Sequence, residues 1–432
     1  MYFITLFLIP IAFIPMFHIQ AEIIKITIFA IGFFLYLFMK REIQIKKIIF
    51  LCIPFFISYL ISFRFNYFDS HFLFFHFISA ILFLFIFDSQ KHIFLSKLHY
   101  LAFSTIIVSI FGLINYYGYN NFFIPIGESF SRGLFKATTG NTNFTSDFLA
   151  TSLPFIFFGF FNEKQKCKNV FFWISGSLSV LVILFCQTRS VLFGLFVSLV
   201  IYFLLFTILN KKEKETQRLK VNLIKIMMLF LSLLISLFLF FSPPGYPEYK
   251  DSPFEQLIGR VSDVISDEND VDPAYKRELE WKTAYNMFLE KPVFGHGWGT
   301  FKLLSPDFQS KITEKEQRFY GYYQRDFRAH SDWLQLLAEG GVFVFVSFLL
   351  IILIIIVEAV KKIALRDYFA LAVFCSWMVI LVHSFVEFPF SMEPSLSMFA
   401  LLSAYLIKDL PSKVVSHNRK NVFLLLYVFV LY

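Results

Sequence analysis

Runs of about twenty apolar residues recur along almost the whole of this chain, and they constrain its fold more than any other feature. A hydrocarbon core of about 30 Å takes roughly 20 residues of helix. On that ruler twelve spans are expected, at 2–19, 22–39, 45–62, 71–87, 99–117, 145–161, 170–187, 190–209, 221–241, 332–358, 368–386 and 393–408. The 432 residues are 57% hydrophobic and only 16% charged, which suits an all-α polytopic membrane protein and not two or three soluble domains. The first apolar run lacks a basic leader and a small-residue cleavage site, so no cleaved signal peptide is expected.

The polar connectors sort by charge. KREIQIKK at 40–47, NEKQKCK at 162–168, KKEKETQRLK at 211–220, KKIALR at 361–366 and the stretch 408–420 are basic and fall on one side of the twelve spans. The positive-inside rule makes that side cytoplasmic. The connectors around Arg64, at 118–144, at Thr188 and Arg189, at 242–329 and around Glu387 then face outward. Four units follow: nine helices in 1–241, a large periplasmic loop with short helices at 242–331, three helices in 332–408, and a cytoplasmic tail with a partial apolar segment at 409–432. The net charge of +8 is thus spent on topology, and no nucleic-acid partner is expected. Cys52, Cys167, Cys186 and Cys375 lack metal-ligand spacing and read as small apolar residues.

The long outer loop and its flanks collect the ionisable residues. SPPGYPEY at 242–249 breaks the preceding helix, and Tyr275, Leu279, Ala284 and Phe288 predict a helix over 273–291. VFGHGWGTF then predicts a turn able to approach another backbone closely; without a preceding strand its glycines are no phosphate loop. His330 precedes the helix-capping residues Ser331 and Asp332, so its ring sits at a positive helix end, where a neutral imidazole serves as general base or as an interfacial residue. Glu339 follows in the same helix before Gly340 and Gly341, either orienting a polar group or lying solvated. Arg189, between two apolar runs, either binds an anion or snorkels to the interface. Arg132 lies in a Gly- and Asn-rich outer segment, and Lys276, Arg277 and Trp281 lie on the loop helix. Arg318, Arg325 and Arg328 alternate with aromatic residues, a mixture suited to sugar faces and phosphates or to interface anchoring. The acidic run at 263–272 does not follow a calcium-loop spacing and reads as solvated, so no metal is expected.

In this order, Arg132 with GNTN at 140–143, TRS at 188–190, Arg277 with Trp281, EKPVFGHGWGTF at 290–301, HSDWLQLLAEGG at 330–341 and HSFVEFPFSMEPS at 383–395 resemble the O-antigen ligase and polymerase superfamily. The resemblance runs from about 130 to 408, and it departs from the family in His296, where a small apolar residue is usual, and in the acidic run. It implies a GT-C-like fold and an inverting glycosyltransferase of the bacterial inner membrane, working at the periplasmic face without cofactor. The donor implied is a glycan on undecaprenyl diphosphate, and the acceptor a hydroxyl, as on lipid A core; membrane lipids surround the helices. Ligases, polymerases and protein O-oligosaccharyltransferases share these motifs. His330 is assigned as base, Arg189 and Arg277 as the groups that stabilise the leaving diphosphate, and Arg132, Lys276, Trp281, Glu339, Arg325 and Arg328 as substrate contacts. A lipid or glycan transporter is the rival from another class, and it predicts broken helices in repeated halves, which the sequence lacks.

Overall fold

A computed structural model describes residues 7–12, 21–40, 42–65, 68–117, 132, 135–210, 223–244, 251–266 and 273–416. Its helices are α1 (Ala21–Met39), α2 (Ile53–Ser62), α3 (Phe68–Ile86), α4 (Lys91–Tyr116), α5 (Thr142–Asn162), α6 (Lys166–Cys186) and α7 (Arg189–Asn210). They continue with α8 (Leu223–Phe241), α9 (Pro253–Ser266), α10 (Pro273–Glu290), α11 (Phe301–Lys315), α12 (Asp332–Ala364), α13 (Tyr368–His383) and α14 (Glu393–Leu406). Eleven of the twelve expected apolar spans coincide with helical segments; most of 2–19 lies outside the described residues. Among the described residues, six segments are long and apolar enough to cross a membrane: 47–65, 91–116, 142–162, 166–186, 224–241 and 332–364.

Packing separates inner from outer helices. Of its apolar window α5 buries 72%, against α4, α6, α13 and α14, whereas α8 buries 17% and turns Phe230, Leu231 and Phe238 outward. Apolar exposure on that scale suits a lipid-facing helix and not a soluble surface. One core, rich in Phe and including Trp377, Phe369 and Tyr405, runs through the bundle.

The described residues are mostly helical, as the all-α reading expects, and two details go beyond it. Glu42–Lys46 (β1) and Ser412–Ser416 (β2) pair antiparallel, Glu42 opposite Ser416 and Lys46 opposite Ser412. EIQIK alternates polar and apolar residues, so the first of these basic connectors had the strand pattern all along. Their pairing requires the 40–47 and 408–420 connectors to share one side, as the charge rule assigned them. Secondly, 332–358 is not one uninterrupted helix. α12 reaches Ala364 and breaks at Gly341, whose φ of 66° and ψ of −170° no helix contains.

The break is where the loop meets the bundle. His296 N–H donates to the Ala338 carbonyl (3.1 Å), Gly297 N–H to that of Glu339 (2.9 Å), and Val342 N–H to that of Pro292 (2.8 Å). Gly295 has φ +67°, and a Cβ there would lie 2.3 Å from the Glu339 carbonyl oxygen. The turn therefore needs both the left-handed conformation and the missing side chain. From this seam α10 and α11 fold over the start of α12, burying Ala284, Met287, Phe301 and Phe308 against Ala338.

We expect Gly295→Ala to lower stability by about 1–3 kcal/mol or more, the scale of one strained backbone position. Thermal unfolding of the detergent-solubilised protein measures it, with Gly321→Ala, where an added Cβ meets nothing within 4 Å, as the neutral control.

Candidate functional site

Three segments distant in sequence converge on one buried carboxylate. Glu387 follows α13 in a short connector held by backbone bonds from Asp332 N–H to the Ser384 and Glu387 carbonyls (3.0 and 3.2 Å). Its Oε1 accepts from Arg277 Nη2 at 2.6 Å and from Asn143 Nδ2 at 3.1 Å, and its Oε2 meets His330 Nδ1 at 3.0 Å. Glu387 is 1% exposed, while Arg277 and His330 keep partly exposed faces. Burial pushes the Glu387 carboxyl up, but the His330 hydrogen bond and the charges of His330, Arg277 and His383 outweigh it and hold it below the usual value. An ionised carboxylate makes Nδ1 the protonated nitrogen of neutral His330 and leaves the Nε2 lone pair free.

Local structure fixes the histidine. His330 has φ +46°, a conformation few side chains other than Gly adopt, just before the Ser331 cap of α12. Trp281 Nε1 donates to the His330 carbonyl (3.2 Å), and Phe388 meets the ring edge-on at 4.9 Å between centroids. The ring is thus clamped by α10, α12 and the Glu387 connector.

The arginines gather at the ends of α5, α6 and α7. Arg132 donates through Nη2 to Asn143 Oδ1 (2.8 Å) and through Nε to the Cys186 carbonyl (3.0 Å), and Asn143 in turn holds Glu387. Arg189 and Arg277 both lie close enough to repel the Arg132 charge. Arg189, the first residue of α7, is exposed and makes no hydrogen bond or ion pair among the described residues. Arg277 and Arg132 both act on Glu387, and exposed Arg189 beside Arg132 leaves positive charge open to solvent, the electrostatic signature of an anion site.

The structure separates the other sequence candidates. Trp281 holds the His330 backbone, and Lys276 lies 3.7 Å from both Glu280 and Asp326. Glu339 is neither solvated nor beside the arginines: it is 4% exposed and accepts from Gly299 N–H (2.9 Å), Phe301 N–H (3.0 Å) and Gln335 Nε2 (3.2 Å), capping α11. Arg328 borders a partly open pocket of about 40 Å³ with His76, Asp332 and Glu339, and Arg325 is exposed. His296, where the chain departs from the family, points inward to the Met287 carbonyl (3.0 Å) and is 2% exposed. Burial, with Lys291 nearby, keeps it neutral. The acidic 267–272 stretch lies outside the described residues.

Glu387, the hub itself, lies in the HSFVEFPFSMEPS motif, yet the sequence reading gives it no site role. Its signal was a carboxylate in a short outward connector, VEFPF, between two apolar helices, where an unpaired charge is costly.

Residues 174–349 match the family model described as O-antigen ligase. The match takes in Arg189, Arg277 and His330, and it supports membership of the O-antigen ligase and polymerase superfamily of membrane glycosyltransferases that the motifs resemble. A search of curated proteins returned no match.

The low-lying Glu387 titration sets a stability test. A depressed folded value adds stability above the unfolded value of about 4.5 and loses it as pH falls through the folded value. Glu387→Gln should therefore be less stable than the wild type at pH 7, with the gap closing below about pH 4.5. Thermal denaturation across pH 3.5–8 measures it.

Proposed function

We propose that this chain transfers a glycan from undecaprenyl diphosphate to a hydroxyl of a lipid A core, with inversion, at the periplasmic face of the bacterial inner membrane. The observation that carries the reading is the His330–Glu387–Arg277 cluster, with Arg189 and Arg277 both close enough to Arg132 to act on its charge. Glu387 holds His330 in the tautomer a general base requires. The acceptor hydroxyl attacks the anomeric carbon, its proton passes to Nε2, and the bond from that carbon to the diphosphate oxygen breaks with its electrons on the leaving group.

A diphosphate is a stable anion that needs no protonating acid, and its growing charge is met by fixed guanidiniums. Arg189, exposed and without a protein partner among the described residues, is the first contact for the donor; Arg277 offers the face not turned to Glu387. Arg132, committed to Asn143 and Cys186, adds field and holds Asn143 in place. The lipid-facing grooves between the helices receive the polyprenyl chain.

His330→Ala should lose about 10²–10⁴ in turnover and still bind donor. Arg189→Ala and Arg277→Ala should weaken donor binding as well, and Lys at either position should restore only part, because an ammonium lacks the bidentate fork. Single-turnover transfer from a defined polyprenyl-diphosphate glycan, with donor affinity for each variant, decides it; near-wild-type turnover in His330→Ala removes the assignment. Running the assay with lipid A core, a glycan-repeat acceptor and a peptide acceptor separates ligase from polymerase and protein glycosylation.

The orientation has its own test. Cysteines at Tyr320 and Leu365, 82% and 83% exposed, should differ. With the outer membrane permeabilised, an impermeant thiol reagent should label position 320 in intact cells and reach position 365 and native, exposed Cys167 only after lysis. The reverse pattern would invert the topology.

A further inference from the structure

The ring of His330 has a second carboxylate on its other side. Glu280, three residues after Arg277 and so on the same face of α10, places Oε1 3.9 Å from His330 Nε2. It is 0% exposed, and neither of its oxygens has a hydrogen-bond partner. Buried carboxylates kept for structure accept N–H donors, as Glu339 does from Gly299, Phe301 and Gln335 in this same chain. Glu280 instead meets only longer-range charge: Lys276, at 3.7 Å, and Arg277 from its own helix, Asp326 from the segment before α12, and His330.

We propose that Glu280 is the proton acceptor for His330, so that the base of this site is a pair with Glu387 on the Nδ1 side and Glu280 on the Nε2 side. The inference rests on the reading of His330 as base. The imidazole takes the acceptor proton on Nε2, and the imidazolium then gives it directly to Glu280 Oε1, a small turn of the ring closing the 3.9 Å gap to hydrogen-bonding distance. The carboxylate becomes a carboxyl and the ring returns to its neutral form; after product leaves, the proton passes back through the His330 ring, whose side chain is 28% exposed, to solvent. Burial, with Asp326 adding to it and His330, Lys276 and Arg277 opposing, raises the Glu280 carboxyl to about 7, which suits a group that takes and releases protons near neutrality. Below about pH 7 it is already protonated and cannot accept, so transfer should rise as pH passes that value.

Glu280→Gln keeps the shape and removes the acceptor. It should lower kcat about tenfold to a hundredfold with donor KM unchanged, and remove the rise in kcat near pH 7. Glu280→Asp should restore part of the rate. A kcat within twofold of wild type with an unchanged pH profile overturns the proposal. A second arm needs no turnover: in protein labelled with ¹³C-histidine in lipid nanodiscs, the His330 resonance is identified by its loss in His330→Gln. In the wild type it should sense two protonation steps, and in Glu280→Gln one; identical titration curves overturn the pairing. If the wild type transfers nothing from the donor, the proposed reaction fails by itself, and the titration still decides whether the two groups share a proton.

Discussion

A buried carboxylate with three partners from three other segments is the constraint on which the rest of this structure turns. Glu387 would be intolerable alone at the edge of a membrane bundle, since an unpaired buried charge costs several kcal/mol. Arg277, Asn143 and His330 remove that cost, and in doing so tie the loop helix α10, the start of α5 and the start of α12 to the α13–α14 connector. The pairing acts in both directions. Glu387 fixes the histidine tautomer, while the surplus of arginine charge around it stays open to an anion.

A second join gives the first its precision. The described stretch from 273 to 331 is not a free flap, because the turn at 292–300 is hydrogen-bonded into the break in α12, with Glu339 capping α11 from within. Arg277 and His330 therefore belong to two elements locked together. The proposed transfer asks a base and a cation to keep their separation as charge develops in the transition state, and this rigidity suits that demand.

Much of this was legible in the sequence, for identifiable reasons. Apolar run length set the helices, charge in the connectors grouped Lys46 with Ser412, and His330, Arg277 and Arg189 stood out as ionisable groups that a membrane does not retain idly. The strand pairing escaped because two five-residue segments some 370 positions apart carry no helical period. Glu339 stayed open between orienting a polar group and lying solvated, because the backbone that approaches Gly340 and Gly341 is not visible in the sequence; the structure favours the first. Glu387 and Glu280 escaped because each matters through a partner distant in sequence. Arg325 and Arg328 entered on composition, and composition does not say which way a loop turns.

The central claim is spatial: one site holds the leaving diphosphate between Arg189 and Arg277 with the reacting sugar carbon toward His330 Nε2. A structure of the protein in a nanodisc, bound to a polyprenyl-diphosphate glycan whose cleavable oxygen is replaced by methylene, tests it directly. The account predicts phosphate oxygens about 3 Å from both guanidiniums, with the anomeric carbon facing the imidazole. Density for the diphosphate on Arg325 and Arg328, with His330 turned away from the sugar, would contradict it.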